Sequence, residues 1–163
     1  MQKLGIAIGV VAVAALGWYL FIHPASEAPA KEGMAVELYY YNPVLDQGPG
    51  GAECTSKGMF AVERTIPKTQ TPLKDTIELL LSGDQIEAER AQGLATEFPL
   101  DGVTLESVVI TDGVATLTFN DPQNKTSGGS CRVSVLTAQI EATAKQFPSV
   151  TSVRILPEEL FQP

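Results

Sequence analysis

An α+β fold, a small mixed β-sheet with two helices packed on one face, is predicted by three features of the sequence. VELYYY (36–41) and MFAVERTI (59–66) alternate apolar and polar side chains with the period of a strand. TPLKDTIELLLSG and VSVLTAQIEATAKQF carry apolar stripes at helical spacing. VTLESVVITDGVATLTFN places Asp112-Gly113, a type I′ turn signal, between two alternating runs. The order is strand, strand, helix, strand, strand, helix, strand, with no internal repeat.

Taken in chain order, Val36, Leu38 and Tyr40 form the inner face of the first strand, and Phe60, Val62 and Ile66 that of the second. Between them NPVLDQGPGGAECTSKG is a long loop, marked by its Asn-Pro, Gly-Pro and Gly-Gly pairs. Thr71 is placed to cap a helix with Pro72 at its first position, Leu73, Ile77, Leu80 and Leu81 on its buried stripe, and Gly83 at its end. DQIEAERAQG is polar enough for a short surface helix. After the hairpin, in which Ala115, Leu117 and Phe119 point inward, DPQNKTSGG forms a turn-rich loop. The second helix buries Val133, Leu136, Ile140, Ala144 and Phe147, and VTSVRIL closes the domain as a strand ended by Pro157.

Ahead of this domain lies LGIAIGVVAVAALGWYLFI, residues 4–22, without charge or proline. As a helix it would reach about 28 Å, near the hydrocarbon thickness of a bilayer. Trp18 and Tyr19 suit one interface, and Lys3 marks residues 1–3 as the cytoplasmic end. The alternative is a signal peptide cleaved at Ala28-Pro29-Ala30, but the apolar run exceeds the usual h-region of about 7–15 residues. Either reading exports the rest. Residues 23–35, rich in Pro, Ala and charge, are then a linker, and 36–163 the extracytoplasmic domain of a single-pass protein of the cytoplasmic membrane. With a net charge of −8 and a pI near 4.6, the chain is expected to avoid nucleic acid.

The placed elements resemble the GerMN domain, a sporulation and spore germination module of bacterial envelope proteins. LKDTIELLLSG is similar to its first helix, LESVVITDGVATLTF to its hairpin, and QIEATAKQFPSVTSVRIL to its second helix and last strand. The resemblance covers residues 36–160. It implies an extracytoplasmic, non-enzymatic α+β domain, akin to the ring-building motifs of membrane-spanning complexes. Relative to that pattern the chain has one copy, a membrane helix in place of a lipid, and an added Tyr- and Gly-rich segment with two cysteines.

Catalysis finds little support. His23, the only histidine, directly follows the membrane segment, which removes Ser-His and Cys-His pairs and the usual histidine zinc sites from the domain. No Ser-x-x-Lys is present. Acid-only glycoside chemistry would need two of Glu97, Asp101 and Asp121 across a cleft. No cofactor or metal is expected.

TSGGSCRVSVL, residues 126–136, admits three readings: an anion site at a helix start, a reactive thiolate at Cys131, or a staple to Cys54, the only other cysteine. Export to an oxidising compartment favours the disulfide. Such a bridge would join the 42–58 loop to the second helix and create a fixed patch of Tyr41, Asn42, Pro43, Asp46, Ser130 and Arg132. The expectation is a docking surface for an envelope protein or a cell-wall component; a homo-oligomer is a further partner option, assigned to no surface. The runner-up is a peptidoglycan- or carbohydrate-binding protein, hydrolytic through acids alone.

Overall fold

The computed structural model describes residues 33–46, 54 and 56–163; the expected membrane segment and residues 23–32 of the expected linker lie outside them. Among the described residues no helix is long and apolar enough to cross a membrane. Strand β1, Gly33–Tyr41, runs antiparallel to β2, Met59–Pro67, in an unbroken register. Among the described residues the first strand therefore starts at Gly33, ahead of Val36, because Gly33, Met34 and Ala35 already pair with Pro67, Ile66 and Thr65. Alternation sets the inner face: Val36, Leu38 and Tyr40 are buried.

Across from them stand Arg64, Val62 and Phe60. Arg64 occupies the inner face because it has partners: its Nε donates to Asp84 at 2.8 Å, and its two terminal nitrogens form a fork onto Glu89 at 2.7 and 2.8 Å. Glu89 belongs to a short helix, Glu87–Ala91, which follows α1, Pro72–Leu81, and is labelled α2. The fork from Arg64 holds the Glu89 carboxyl below its usual range against the opposing effect of burial. Tyr40 donates to the carbonyl of Asp84 at 2.8 Å, and burial pushes its phenol up to about 12.

Helix α1 buries Leu73, Ile77 and Leu80 as the stripe predicts. Thr71 holds the N-cap position, but its hydroxyl bonds Asp75 at 3.1 Å instead of capping an amide. Gly83 ends the helix at φ +69°, donating to Leu80. Strands β3, Thr104–Thr111, and β4, Val114–Asn120, form the predicted hairpin; Asp112 and Gly113 both take positive φ, 50° and 81°, as a type I′ turn requires. Helix α3, Ser130–Lys145, begins earlier than Val133, and β5, Ser152–Leu156, lies parallel to β4.

The expected single sheet is two sheets, β1-β2 and β3-β4-β5, with α1 and α3 packed against both. Backbone bonding explains the split. In the β1-β2 register the amides of Glu37, Tyr39 and Tyr41 point away from β2, and each finds a partner outside the other sheet. Gln146, just past α3, accepts from the Glu37 amide at 2.7 Å and donates to its carbonyl at 2.6 Å. Thr143 Oγ1 accepts from Tyr39 N at 3.1 Å, and Tyr41 exchanges two bonds with Ala95. With its outer edge bonded in this way, β1 cannot join β3 or β5. One core, including Leu38, Tyr40, Ile77, Leu80, Leu117, Leu136 and Ile140, fills the space among the sheets and helices.

Substituting Thr143→Val and Gln146→Ala removes the side chains that hold this edge, each a net contribution of about 1 kcal/mol. Hydrogen exchange should then quicken several-fold at Glu37 and Tyr39 while Leu117 in β4 stays protected. Unchanged protection at Glu37 and Tyr39 would mean that the edge is held by something else.

Candidate interaction site

The connection from β1 to β2, residues 42–58, is organised at its start by Asn42. The Asn42 amide donates to Gly58 at 2.7 Å, extending the ladder by a rung. Its side-chain oxygen accepts from Val44 N at 3.0 Å and Leu45 N at 3.3 Å, closing a tight turn, and its Nδ2 reaches Gln92 at 3.1 Å. Its carbonyl accepts from Leu45 and Asp46, both at 3.2 Å. Beneath the turn the Tyr41 hydroxyl donates to Asp46 Oδ2 at 2.8 Å. A Cβ at Gly58 would stand 2.6 Å from the Asn42 carbonyl and 2.8 Å from Asp46 Cβ, so glycine is required for this approach.

Farther along, Cys54 is joined by a disulfide to Cys131 in the first turn of α3, with Cα atoms 5.2 Å apart. Cys54 itself adopts φ +60°. The staple reading of TSGGSCRVSVL is the one the structure adopts. Arg132, next in sequence, is engaged within the domain: its Nε donates to Glu97 at 2.5 Å and its Nη1 to the Ser127 carbonyl. Ser130 is exposed and lines an open groove of about 520 Å³ beside Ser56, Met59, Ser134 and Thr137.

The expected patch is therefore only partly a surface. Tyr41, Asn42 and Asp46 are 9 %, 4 % and 1 % exposed, because their polar groups are consumed in holding the turn. Of the six residues, Pro43 and Ser130 stand at the surface and Arg132 is half-buried against Glu97. What the frame presents outward is Val44, 71 % exposed, and Leu45, 55 % exposed. Sequence reasoning passed over this pair; the signal was two apolar residues enclosed by Asn-Pro and Asp in a loop.

The three candidate acids are dispersed over structural duties. Glu97 pairs with Arg132, and Asp101 is exposed in a turn. Asp121 accepts from Lys125 N at 2.9 Å and from Thr126 N and Oγ1, both at 2.8 Å. Burial pushes its carboxyl up, but these bonds overcome that and hold it below the usual 3.8. Thr126, fully buried, also accepts from Phe161 N at 3.3 Å, and the Phe161 ring packs edge-on against Phe119 at 5.3 Å. Among the described residues no three His, Cys, Asp or Glu side chains are grouped to hold a metal ion.

Two measurements follow from this geometry. Reducing the disulfide, whose cysteines are 77 residues apart, should lower the unfolding free energy in urea by about 4 kcal/mol in the chain-entropy model. An unchanged urea midpoint after complete reduction would refute a stabilising staple. Asp121 binds a proton less readily folded than unfolded, so its stabilisation is present above the ordinary 3.8 and is lost as pH falls through the depressed folded value. Asp121→Asn should flatten the acid limb of the stability curve; a curve as steep as wild type would show that the carboxylate contributes nothing there.

Against known proteins, a family model described as Sporulation and spore germination (Germane) matches residues 37–159. Among solved structures, the chain resembles the tandem GerMN domains of the sporulation protein GerM from Bacillus subtilis at TM-score 0.53 and 22 % identity. That match covers 80 % of this chain and 41 % of the other, so the chain spans less than half of the tandem structure. The first GerMN domain of GerM from Bacillus subtilis matches at 21 % identity and TM-score 0.48, covering 78 % of this chain and 86 % of that one. A putative lipoprotein from Clostridium perfringens matches at 16 % identity and TM-score 0.40, covering 78 % and 76 %. No curated protein matches in sequence. The likeness at TM-score 0.53 and 22 % identity speaks to the fold alone, while the family match spans most of the chain; the chain belongs to the sporulation and spore germination family, and its folded unit is a GerMN domain.

Proposed function

We infer that this GerMN domain is a non-catalytic interaction or assembly module, tethered to the outer face of the cytoplasmic membrane by residues 4–22. The observation that carries the reading is the division of labour in the 42–46 turn. Three buried side chains, Tyr41, Asn42 and Asp46, fix a backbone whose outward product is a pair of exposed apolar side chains. Apolar groups held rigidly at a surface bind with little loss of conformational entropy, which suits a hydrophobic pocket on a protein partner. A net charge of −8 disfavours anionic lipid as the target of the tip.

The acid-only hydrolytic alternative draws on Glu97, Asp101 and Asp121. Glu97 is tied to Arg132 and Asp121 to the loop that follows it, which leaves no facing pair poised around a bond. The Cys54–Cys131 disulfide supports export and with it the tether, since a thiol pair persists as a disulfide outside the cytoplasm.

A photo-crosslinking residue introduced at 44 or 45 in the full chain in cells should yield a discrete protein adduct, with Ile86, also exposed, as the control position. Val44→Asp and Leu45→Asp should reduce the adduct about tenfold while shifting stability by no more than about 0.5 kcal/mol, as expected for exposed sites. Equal adducts from 44, 45 and 86 would refute a directed tip. An export-dependent phosphatase fused to the carboxyl end should be active; activity of a cytosolic reporter alone at that position would refute the tether. Release of fragments from purified peptidoglycan would replace this reading with the hydrolytic one.

A further inference from the structure

Asn42 closes the turn beneath Val44 and Leu45 only while its carboxamide is held one way round. Its Oδ1 must face the amides of those two residues, and its Nδ2 the Gln92 carbonyl, 3.1 Å away. Rotated by half a turn, the carboxamide would set Nδ2 against two amide donors and Oδ1 against a carbonyl, and every one of these bonds would be lost. Gln92 enforces the choice because its carbonyl can only accept.

That carbonyl is fixed in turn from inside the domain. Residues 84–95 form a bracket around α2: Gln85 Nε2 donates to the Leu94 carbonyl at 2.9 Å, and the Leu94 amide to the Glu89 carbonyl at 3.1 Å, with Leu94 in the core. One arm of the bracket is fastened to β2 by the fork from Arg64 to Glu89 and by its bond to Asp84. The Glu89 carboxylate also accepts from Ile86 N at 3.1 Å, so it ties the start of α2 to the same arginine. The other arm ends on β1, where Ala95 and Tyr41 exchange bonds of 2.7 and 3.0 Å. Gly93 lets this arm lie close to the turn, since it takes φ +82° and a Cβ there would stand 3.1 Å from Asn42 Nδ2.

We propose that Arg64, Glu89 and Gly93 are positioning residues of the contact tip: the ion pair on the inner face of β2 orients the Asn42 carboxamide through the Gln92 carbonyl, and so sets how firmly Val44 and Leu45 are presented to a partner. The assignment rests on the reading of that pair as the contact surface. It adds that affinity at an exposed turn depends on two side chains only 14 % and 8 % exposed. A bidentate fork suits the task because it fixes direction as well as distance, which a single bond does not.

Amide exchange in the full chain, followed by NMR in detergent, tests the assignment without a partner. Glu89→Gln keeps the size of the side chain and removes the charged fork; exchange at Val44 and Leu45 should quicken about tenfold while Leu117 in β4 keeps its protection. Glu78→Gln, which removes the exposed pair with Lys74 on α1, should change neither. Asn42→Asp supplies the deciding arm. A carboxylate accepts at both oxygens, so the turn amides have an acceptor whichever way round it lies, and in this background Glu89→Gln should no longer quicken exchange at Val44 and Leu45. Should Glu89→Gln fail to fold, Gly93→Ala leaves the ion pair intact and should quicken the same two amides several-fold. Unchanged exchange there overturns the proposal, as does equal quickening at Leu117, or an effect of Glu89→Gln that persists undiminished in the Asn42→Asp background. In cells, the photo-crosslinked adduct from residue 44 should fall about tenfold in Glu89→Gln. An undiminished adduct beside quickened exchange also overturns the proposal. Absence of any adduct from the wild-type chain refutes the reading of the tip alone, and the exchange results then decide the bracket by themselves.

Discussion

The architecture turns on β1 being hydrogen-bonded along both edges by unlike partners. On one side is an ordinary antiparallel ladder to β2; on the other are Thr143 and Gln146 at the end of α3, and the backbone of Ala95. A strand whose outward amides already have acceptors gains nothing from a third strand. The five strands therefore divide, the helices pack against both sheets, and β2 is left as an outer strand. Because Tyr41 is bonded to Ala95 at the far end of the same edge, the chain must leave β1 at a fixed place and direction. Asn42 takes over there, continuing the ladder through Gly58 and then folding the chain back upon its own side-chain oxygen.

Polar groups do most of the positioning around this frame, and apolar burial supplies the bulk. Arg64 shows how the two cooperate. A guanidinium on the inner face of a strand would be costly unless paired, and the bidentate fork to Glu89 with a further bond to Asp84 meets that cost. In doing so it fastens α2, a helix too short to persist by propensity. The segment after α2 is thereby placed to offer Gln92 to Asn42 and Ala95 to Tyr41. An ion pair on the inner face of β2 is thus mechanically continuous with the turn at the far end of β1. Asp121 plays a similar part at the other pole, holding Thr126, which in turn receives Phe161 and seats its ring on Phe119.

The helices and the hairpin were legible in the sequence because their signals are local. Pro72 and Gly83 bracket α1, Asp112-Gly113 permits one turn geometry, and the stripes of α1 and α3 name their buried residues nearly one for one. The partition of strands was not legible. It depends on Gln146 reaching Glu37, residues 109 apart, and no pattern within either element reports that meeting. The disulfide could be paired because only two cysteines were present to pair. The interior role of Asp46 escaped for a related reason: an aspartate in a Gly-rich loop reads as solvated, and only the fold shows it under Tyr41. Val44 and Leu45 escaped because two apolar residues in a loop carry no period.

These failures share a physical cause that bears on where function resides in the domain. Local rules are satisfied wherever burial decides the residue, and they lapse where a side chain works against its type: an arginine facing inward, an aspartate buried, a phenylalanine and a Val-Leu pair left at the surface. The inward-facing polar groups are explained within the chain by named partners. The outward-facing apolar groups are a different case, since Val44, Leu45 and Phe60 remain 71 %, 55 % and 38 % exposed. Inward exceptions therefore account for stability, and outward exceptions are where the proposed interaction role draws its apolar surface. The two kinds of exception meet at the 42–46 turn, where polar groups spent inside the chain, Tyr41 on Asp46 and Asn42 on the turn amides, fix the position of the apolar pair outside it.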